Sequence, residues 1–408
     1  MKVCIVGGGA AGMAAAITAA QRCHQVVLLE RQARVGRKLL STGNGRCNLT
    51  NLHADGSTVP YHGEDPAFAR DILARPELNV ASTLSWFASL GLRTVAEDGG
   101  RFYPWSNMAG SVLDVLRFAL DRCGVTVRTS CTVTGVRARG GAFSIMTEDG
   151  DLFADAVILA AGGAAGAKVG GVMDGYRIAK GLGHHRTALF PAIVQLRTDP
   201  TWPRSLKGVK AQADVAILRR GEVLARRCGE ILFTEYGVSG PAVFDVSRAA
   251  SLGGDGLVCR LDLLPGQDEA VTFADLAQRR ERMAPQESQL LLTGLLHPRL
   301  GQTVCRAAGF TTRPAGELSD DDLLQIAQRL HRFDLPVLGV CGFDQAQVTA
   351  GGLRTDEFDP QTLESRIVPG FYACGEVLDV DGDCGGFNLQ WAWSSGRLAG
   401  MLLSNGEG

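Results

Sequence analysis

The chain has 408 residues, of which 45% are hydrophobic and 21% are charged, and its formal net charge is −2. This length predicts two or three domains, and the near-neutral charge predicts neither a nucleic acid nor a membrane as partner. Eleven cysteines without paired spacing and seven histidines without a ligand motif predict reduced thiols in the cytoplasm and no metal site.

The first thirty residues predict a βαβ unit. Residues 2–6 (KVCIV) read as a short buried strand, residues 11–22 as a helix of small residues, and residues 25–30 (QVVLLE) as a second strand. Two strands joined in this way by a helix form the core of a Rossmann-like α/β domain.

The turn inside this unit carries a dinucleotide fingerprint. It reads Gly7-x-Gly9-x-x-Gly12, and Glu30 ends the second strand. The glycines permit a tight turn and a close approach to a pyrophosphate, and the helix N-terminus favours phosphate oxygens. An acid at this spacing accepts hydrogen bonds from ribose hydroxyls. The motif predicts a dinucleotide site without distinguishing FAD from NAD.

Helices and strands continue beyond the fingerprint. Helical patterns occupy residues 67–74, 80–90 and 111–122, and DAVILAAGG at 155–163 reads as a buried strand that ends in glycines. No second strand–GxGxxG–helix unit follows, so the sequence predicts no dedicated nicotinamide domain.

The pattern changes at about residue 190. Strand-like pieces fill residues 190–262, including a hairpin around GEVLA, and helical patterns fill residues 272–300. Ser319 and Asp322 have the spacing of a capping box at the start of an amphipathic helix. Since this block lacks nucleotide-binding glycine motifs, we predict that it is an inserted domain.

Three further motifs favour FAD. LERQARVGRKLLSTG, which begins just before Glu30, resembles the extended fingerprint of two-dinucleotide-binding-domain flavoproteins. VILAAGG resembles an FAD-contacting strand end of the same superfamily. FYACGEVLDVDG resembles its late FAD motif, at Gly375 and Glu376.

Longer blocks resemble a single family. GRKLLSTGNGRCNLTN, ILFTEYGVSGPAVFDVSR and GEVLDVDGDCGGFNLQWAWSSGRLAG look like the BaiN-like flavoproteins, also called aminoacetone-oxidase-like FAD enzymes. The resemblance implies one FAD and an α/β fold in which a Rossmann-like FAD-binding domain carries an inserted β-barrel-like domain and a small helical domain. We expect the FAD-binding domain at 1–189 and 346–408, and the insertion at 190–345 with its helical part at about 265–310.

The fingerprint and the resemblance together predict the cofactor-binding residues. They are Gly7, Gly9, Ala10, Ala11, Gly12, Glu30, Arg31, Arg37, Lys38, Thr42, Gly43, Asn44, Gly45, Arg46, Cys47, Val133, Ala161, Gly162, Gly375, Glu376, Gly386, Phe387, Asn388 and Leu389.

The C-terminal block has an expected role at the flavin. Gly385–Gly386 would let the backbone approach the isoalloxazine, and a helix from about Asn388 would direct N–H groups at its N1/C2 carbonyl edge. Trp391 and Trp393 are expected to pack in the core.

Several residues are candidates for catalysis. Arg46 could bind an anionic substrate or stabilise an enolate, or instead hold the FAD phosphates, and Asn48 could donate to a flavin carbonyl. Cys47 lacks a second cysteine nearby, so we expect a packed thiol rather than a disulfide relay.

Candidate proton donors come from both predicted domains. They are Tyr103, Glu235, Tyr236 and Asp383, with Arg101 as a further substrate-side candidate. The family usually has His where Glu235 stands, which puts an acid–base role there in doubt.

These patterns predict an FAD-dependent oxidoreductase that transfers hydride through flavin N5. We favour NAD(P)H-linked reduction of an activated C=C bond in a small or medium organic substrate, with NAD(P)H docking transiently. The alternatives are an oxygen-dependent amine oxidase, an FAD-binding sensor without turnover and, more remotely, a tRNA-modifying flavoprotein. We expect a monomer or a small homo-oligomer.

Overall fold

The computed structural model describes residues 1–55 and 61–402. The chain divides into two compact units. The first unit consists of Met1–Phe190 and Gln347–Gly408, and the second consists of Pro191–Ala346. The first unit is therefore built from both ends of the chain.

The strands and helices are numbered in chain order. Residues 403–408, the end of the predicted last segment, lie outside the described residues. The strands are β1 (Lys2–Val6), β2 (Gln25–Leu29), β3 (Thr50–Asn51), β4 (Tyr61–His62), β5 (Thr94–Glu97), β6 (Arg101–Pro104), β7 (Thr126–Arg128), β8 (Val133–Arg139), β9 (Ala142–Thr147), β10 (Leu152–Ala154), β11 (Ala156–Leu159), β12 (Phe190–Ala192), β13 (Leu196–Thr198), β14 (Lys210–Arg219), β15 (Glu222–Thr234), β16 (Gly237–Ser239), β17 (Leu257–Asp262), β18 (Phe333–Val340), β19 (Val348–Ala350), β20 (Phe371–Ala373) and β21 (Asp381–Gly382). The helices are α1 (Ala10–Gln21), α2 (Arg37–Ser41), α3 (Pro66–Leu73), α4 (Val80–Leu90), α5 (Ala109–Arg122), α6 (Asp174–Gly181), α7 (Pro241–Leu252), α8 (Glu269–Arg282), α9 (Pro298–Ala307), α10 (Asp320–His331) and α11 (Phe387–Met401).

A parallel sheet forms the centre of the first unit. Its strand order is β20-β11-β1-β2-β7, and every neighbouring pair is parallel. β1 is buried from Val3 to Val6 and β11 over its whole length, as expected of strands in a parallel sheet covered on both faces. β1, α1 and β2 confirm the predicted βαβ unit and the Rossmann-like α/β fold.

β11 is shorter than predicted. It ends at Leu159, and the chain leaves the sheet before Gly162, whose φ is 71°. A strand residue needs negative φ, so the small residues after Leu159 form a turn instead of extending the strand.

Smaller antiparallel sheets complete the first unit. β3, β6 and β5 form one in the order β3-β6-β5, β8, β9 and β10 form a second, and β4 pairs with β21. The β4–β21 pair joins a strand near residue 61 to the segment immediately before α11.

α11 packs against α1 with almost no side-chain volume between the two backbones. A Cβ atom on Gly396 would lie 2.4 Å from the carbonyl oxygen of Ala11, and one on Gly400 would lie 2.5 Å from that of Ala15. Each pair of small residues is spaced by four positions, which places it on one face of its helix. The small residues of α1, the helix of the fingerprint, therefore pack against small residues of α11.

The two tryptophans of α11 are core residues, as predicted. Trp391 is 2% exposed and Trp393 is fully buried. Each indole N–H has an acceptor: Trp391 Nε1 donates to Gly375 O at 3.1 Å, and Trp393 Nε1 donates to Leu49 O at 2.9 Å. Both tryptophans thus tie α11 to segments predicted to bind the cofactor.

The second unit contains a closed barrel with the strand order β13-β16-β15-β14-β17-β18. The predicted hairpin is confirmed as β14–β15. α7 to α10 belong to the same unit, and α10 begins with the predicted capping box, in which Ser319 Oγ accepts the Asp322 N–H and the Asp322 carboxylate accepts the Ser319 N–H. Across both units, no helix in the described ranges is long and apolar enough to cross a membrane.

The α1–α11 contact predicts a specific stability difference. We expect Gly396→Ala to lower the melting temperature by several degrees, because the added methyl meets backbone rather than a movable side chain, and overpacking costs about 1–3 kcal/mol. Thermal melts followed by circular dichroism would measure this change.

Gly110→Ala is the matched control. Gly110 lies in α5, and its Cβ position has no neighbouring atom within 4 Å. The same substitution there should leave the melting temperature unchanged or raise it, since alanine reduces the entropy of the unfolded chain. If the two variants melted alike, the close α1–α11 contact would be wrong.

Candidate functional site

The glycine-rich turn between β1 and α1 has little room for side chains on its protein side. Gly7 has a φ of 111°, and a Cβ there would lie 2.4 Å from Ala160 O. A Cβ on Gly12 would lie 1.9 Å from Gly7 O. Gly9, the residue that caps α1, is different, because its Cβ position has no atom within 4 Å. The open side of the turn is therefore at Gly9.

Glu30 stands at the end of β2 and is held by two backbone donors. Gly8 N donates to its Oε2 at 2.8 Å, and Gln32 N donates to its Oε1 at 2.7 Å. A carboxylate has about four lone-pair positions, so both oxygens can still accept from a ligand. Glu30 thereby joins the glycine turn to the end of β2.

Gly36 closes the other side of this turn. Its N–H donates to Gly8 O at 2.9 Å, its φ is 72°, and a Cβ there would lie 2.5 Å from Leu113 Cδ1. Arg37 follows, donating to Gln32 Oε1 at 2.6 Å and to Lys168 O at 3.2 Å. This arrangement leaves a groove between the glycine turn and the segment after Glu30.

The groove has an empty volume of about 830 Å³, including its open mouth. The predicted cofactor-binding residues among its lining are Gly7, Gly9, Glu30, Arg31, Arg37, Lys38, Val133, Ala161 and Gly162.

Sequence reasoning missed part of the lining. Gln32, Arg34, Thr132 and Gly163 line the groove, as do residues 169–172. The glycine pair at 170–171 was a signal for the last segment, because clustered glycines mark close backbone approach. Thr132 lies next to the predicted Val133, but its side-chain type alone carries no signal.

Glu376 connects several parts of this unit. Its Oε2 accepts from Lys38 Nζ at 2.6 Å, and its Oε1 accepts from Thr349 N at 2.9 Å. A Cβ on Gly163 would lie 2.8 Å from the same Oε1. Three predicted cofactor motifs therefore meet at one carboxylate.

Gly375 and the first turn of α1 are also in contact. Gly375 has a φ of 76°, and a Cβ there would lie 2.7 Å from Ala11 Cβ. Ala10, Ala11 and Gly12 open α1 but do not line the groove, because Ala11 and Gly12 are buried against the rest of the unit.

The loop at 42–47 follows α2 in an unusual backbone conformation. Gly43, Asn44, Gly45 and Cys47 all have positive φ. The Cys47 side chain is fully buried, and burial raises the pKa of its thiol to about 12. A thiol of that kind stays protonated at neutral pH, as expected of the predicted packed thiol.

Arg46 points to a cluster of three side chains. Its guanidinium lies over the Tyr103 ring, 4.1 Å from the centroid, and forms an ion pair with Glu97. Its Nε donates to Asn107 Oδ1. About a third of the Arg46 side chain remains exposed. Sequence analysis identified Arg46 and Tyr103, whereas Glu97 and Asn107 gave no signal.

Asn48 lies where this loop meets the C-terminal turn. Its Oδ1 is buried and has no hydrogen-bond partner among the described residues. A Cβ on Gly386 would lie 2.9 Å from that oxygen and 2.6 Å from Thr50 O. Asn51 Nδ2 donates to Gly385 O at 3.0 Å. The predicted flavin-contacting segments at 42–48 and 385–388 therefore lie side by side.

The first residues of α11 differ in burial and in their hydrogen bonds to the preceding turn. Phe387 is buried, whereas Asn388 and Leu389 are half-buried. Asn388 Oδ1 accepts from Gly382 N at 2.9 Å, and its Nδ2 donates to Gly382 O at 2.7 Å. Arg101 Nε lies 3.7 Å from the Cβ position of Gly385.

Glu235 and Tyr236 belong to the second unit. Glu235 is exposed and forms an ion pair with Lys207 at 2.9 Å. The hydrogen bond and charge of that lysine lower the pKa of the Glu235 carboxyl. Glu235 is thus a carboxylate at neutral pH, with a lysine as its partner.

Comparisons with known proteins identify the family of the chain. The family model of the HI0933-like protein Rossmann domain matches residues 1–402. The chain is 41% identical to 3-dehydro-bile acid delta(4,6)-reductase from Clostridium scindens, over 99% of each chain. It is 29% identical to ribosomal RNA dihydrouridine synthase from Escherichia coli, over 96% of this chain and 95% of that protein.

A solved structure shares the fold. 3-Ketosteroid-Δ4-(5α)-dehydrogenase from Rhodococcus jostii RHA1, in complex with 4-androstene-3,17-dione, is 15% identical over 98% of this chain and 95% of its own, with a TM-score of 0.51. The family match and the curated relatives confirm the resemblance to the BaiN-like flavoproteins and the predicted FAD cofactor. The chain belongs to the HI0933-like family and is an FAD-dependent oxidoreductase.

Proposed function

We propose that this enzyme reduces a carbon–carbon double bond conjugated to a carbonyl group, with NAD(P)H as electron donor. The observation that carries the proposal is the 41% identity to a delta(4,6)-reductase over 99% of both chains. The name of that relative describes removal of double bonds conjugated to a 3-keto group. Dihydrouridine, in the name of the second relative, is likewise uridine with one conjugated C=C bond reduced.

The groove fits the nucleotide part of FAD. The N-terminus of α1 offers backbone N–H groups and the positive end of its dipole to a pyrophosphate, beside the open face of Gly9. Glu30 would accept hydrogen bonds from ribose hydroxyls, and Arg31 and Arg37 supply positive charge at the lining.

The flavin would lie against the turn at Gly385–Gly386. The buried, unpaired Oδ1 of Asn48 faces this turn, and a polar ligand group would satisfy it. The N-terminus of the 15-residue helix α11 is at the same place and favours negative charge. FAD, when bound and reduced, supplies a hydride to the substrate.

We assign Arg46 to the substrate. Arg46 does not line the nucleotide groove, which favours this role over binding the FAD phosphates. Its partly exposed guanidinium, held by Glu97 and Tyr103, can stabilise the negative charge that develops on a carbonyl oxygen as hydride adds to the double bond.

A second candidate function is reduction of uridine in RNA. The full-length match to a ribosomal RNA dihydrouridine synthase favours it. The formal net charge of −2 does not, because RNA-binding enzymes need positive charge to contact phosphates. We therefore propose a small-molecule substrate and treat RNA as an outcome of the test.

Gly9→Leu tests the nucleotide groove. The side chain would enter the groove without meeting protein atoms near its Cβ. We therefore expect a folded protein whose Kd for FAD rises about tenfold or more, or ~1.4 kcal/mol. FAD titration of the apoprotein would measure the change. Gly110→Leu adds the same side chain to open space in α5 and should bind FAD normally; equal affinity of both variants would contradict the assignment.

Arg46→Ala tests the substrate role. We expect kcat/KM for the substrate to fall about 10²-fold, as when one oxyanion donor is lost, while the FAD content of the purified protein stays near one per chain. Steady-state kinetics and the ratio of flavin to protein absorbance would give both values. Loss of FAD would instead place Arg46 in the cofactor site.

The reaction itself is tested with anaerobic protein. We expect NADH or NADPH to bleach the visible flavin spectrum. We expect a 3-dehydro-Δ4,6 bile acid to restore it, with one C=C bond reduced for each flavin that is reoxidised. Ribosomal RNA should not restore it. Reoxidation of the flavin by ribosomal RNA and not by the bile acid would support reduction of uridine in RNA. Formation of peroxide with amines would support an amine oxidase.

A further inference from the structure

A histidine and an aspartate meet beside the turn that begins α11. His62 Nε2 lies 2.7 Å from Asp383 Oδ1, although 321 positions separate the two residues in sequence. The β4–β21 ladder brings them together, with Asp381 opposite His62 and Gly382 opposite Tyr61. The side chains of His62 and Asp383 are 34% and 19% exposed, so the pair is partly buried and still reached by solvent.

The aspartate is fixed to the first turn of α11. Asn388 Nδ2 donates to Gly382 O at 2.7 Å and to Asp383 O at 3.3 Å. Asp383 therefore stands two residues before Gly385 in a segment that cannot move independently of the helix. The pair borders the turn at which we propose the flavin.

Two neighbouring side chains, those of Tyr61 and Asp379, form structural hydrogen bonds. Tyr61 donates its hydroxyl proton to Phe387 O at 2.8 Å, and burial raises its pKa well above the ordinary value. Asp379 Oδ2 accepts from Glu64 N at 3.0 Å. His62 differs from them because its contact with Asp383 uses Nε2, and the imidazole ring has a second nitrogen, Nδ1, that can also carry a proton.

We propose that His62, oriented by Asp383, donates the proton that completes reduction of the double bond. This inference rests on the proposed function. Addition across a conjugated C=C bond requires a hydride at one carbon and a proton at the carbon next to the carbonyl. The hydride, with both electrons, would come from the reduced cofactor. The His62 imidazolium gives its Nδ1 proton to the second carbon, becomes neutral, and regains a proton from solvent.

Asp383 has the role of a positioning residue in this proposal. Its carboxylate accepts a hydrogen bond from Nε2–H, which sets the orientation of the ring and stabilises the imidazolium before transfer. The arrangement leaves Nδ1 as the donor. A histidine placed in this way contributes about 10²–10⁴-fold to a reaction that needs a proton in its transition state.

The test separates the two half-reactions in stopped flow. In His62→Gln, bleaching of the flavin by NAD(P)H should keep its wild-type rate, while reoxidation by a 3-dehydro-Δ4,6 bile acid should slow about 10²-fold or more. Asp383→Asn should slow the same step to a smaller extent. His24→Gln, in the turn between α1 and β2, is the control and should match wild type in both steps.

A second readout needs no turnover. The ¹⁵N spectrum of histidine-labelled protein should show a protonated, hydrogen-bonded Nε2 on His62 that shifts in Asp383→Asn and does not shift in His24→Gln. An unchanged signal would overturn the orientation by Asp383, even if a variant lost FAD.

The outcomes distinguish this proposal from the function on which it rests. Wild-type protein that is not reoxidised by the bile acid would contradict the proposed function. Wild-type turnover with an unchanged reoxidation rate in His62→Gln would overturn the proton donor alone. Equal slowing of both half-reactions would also overturn it, because a proton donor to substrate has no part in flavin reduction.

Discussion

The contact between α1 and α11 is the constraint on which the rest of the first unit depends. The fingerprint helix must lie close to the sheet to direct its N-terminus at a phosphate, and its other face meets the backbone of α11 at Gly396 and Gly400. Because no long side chain separates the helices, the position of one determines the position of the other. The nucleotide groove and the turn before α11 thus belong to one rigid arrangement, although they come from opposite ends of the sequence.

Glu376 reinforces this arrangement by charge rather than by packing. Its carboxylate holds Lys38 from the segment after Glu30 and the Thr349 N–H from the start of the returning segment. The Lys38 and Glu376 side chains are 31% and 20% exposed, so solvent only partly screens the pair. The close packing of small residues sets the distance between α1 and α11. The partly buried ion pair between Lys38 and Glu376 holds together the two segments that contain these residues.

Local sequence patterns predicted the helices and strands, but they did not predict which side chains from distant parts of the chain would be in contact. The βαβ unit, the capping box at Ser319 and the burial of Trp393 follow from residue type and spacing within a few turns. The hydrogen-bond partners of Arg46, Glu97 and Asn107, lie instead in a strand and a turn that are 51 and 61 residues away.

The pairing of His62 with Asp383 is even harder to predict from the sequence. It depends on the register of two-residue strands, and strands this short carry no periodic signal. The FAD fingerprint was recognisable because its glycines recur at a fixed spacing within one short segment. The proposed substrate site was harder to recognise from the sequence, because its side chains contact residues that come close only when the chain folds.

The return of the chain to its first unit also governs the order in which the two units can be completed. During synthesis, β1, α1 and β2 emerge early, but α11 emerges only after the whole second unit has been made. Until then α11 is not present to pack on the small-residue face of α1. The ion pair between Lys38 and Glu376 cannot form before Glu376 has been translated. The pairing of such distant segments has a high contact order and is slow. The second unit comes from contiguous sequence, whereas the first unit is complete only after α11 has been translated.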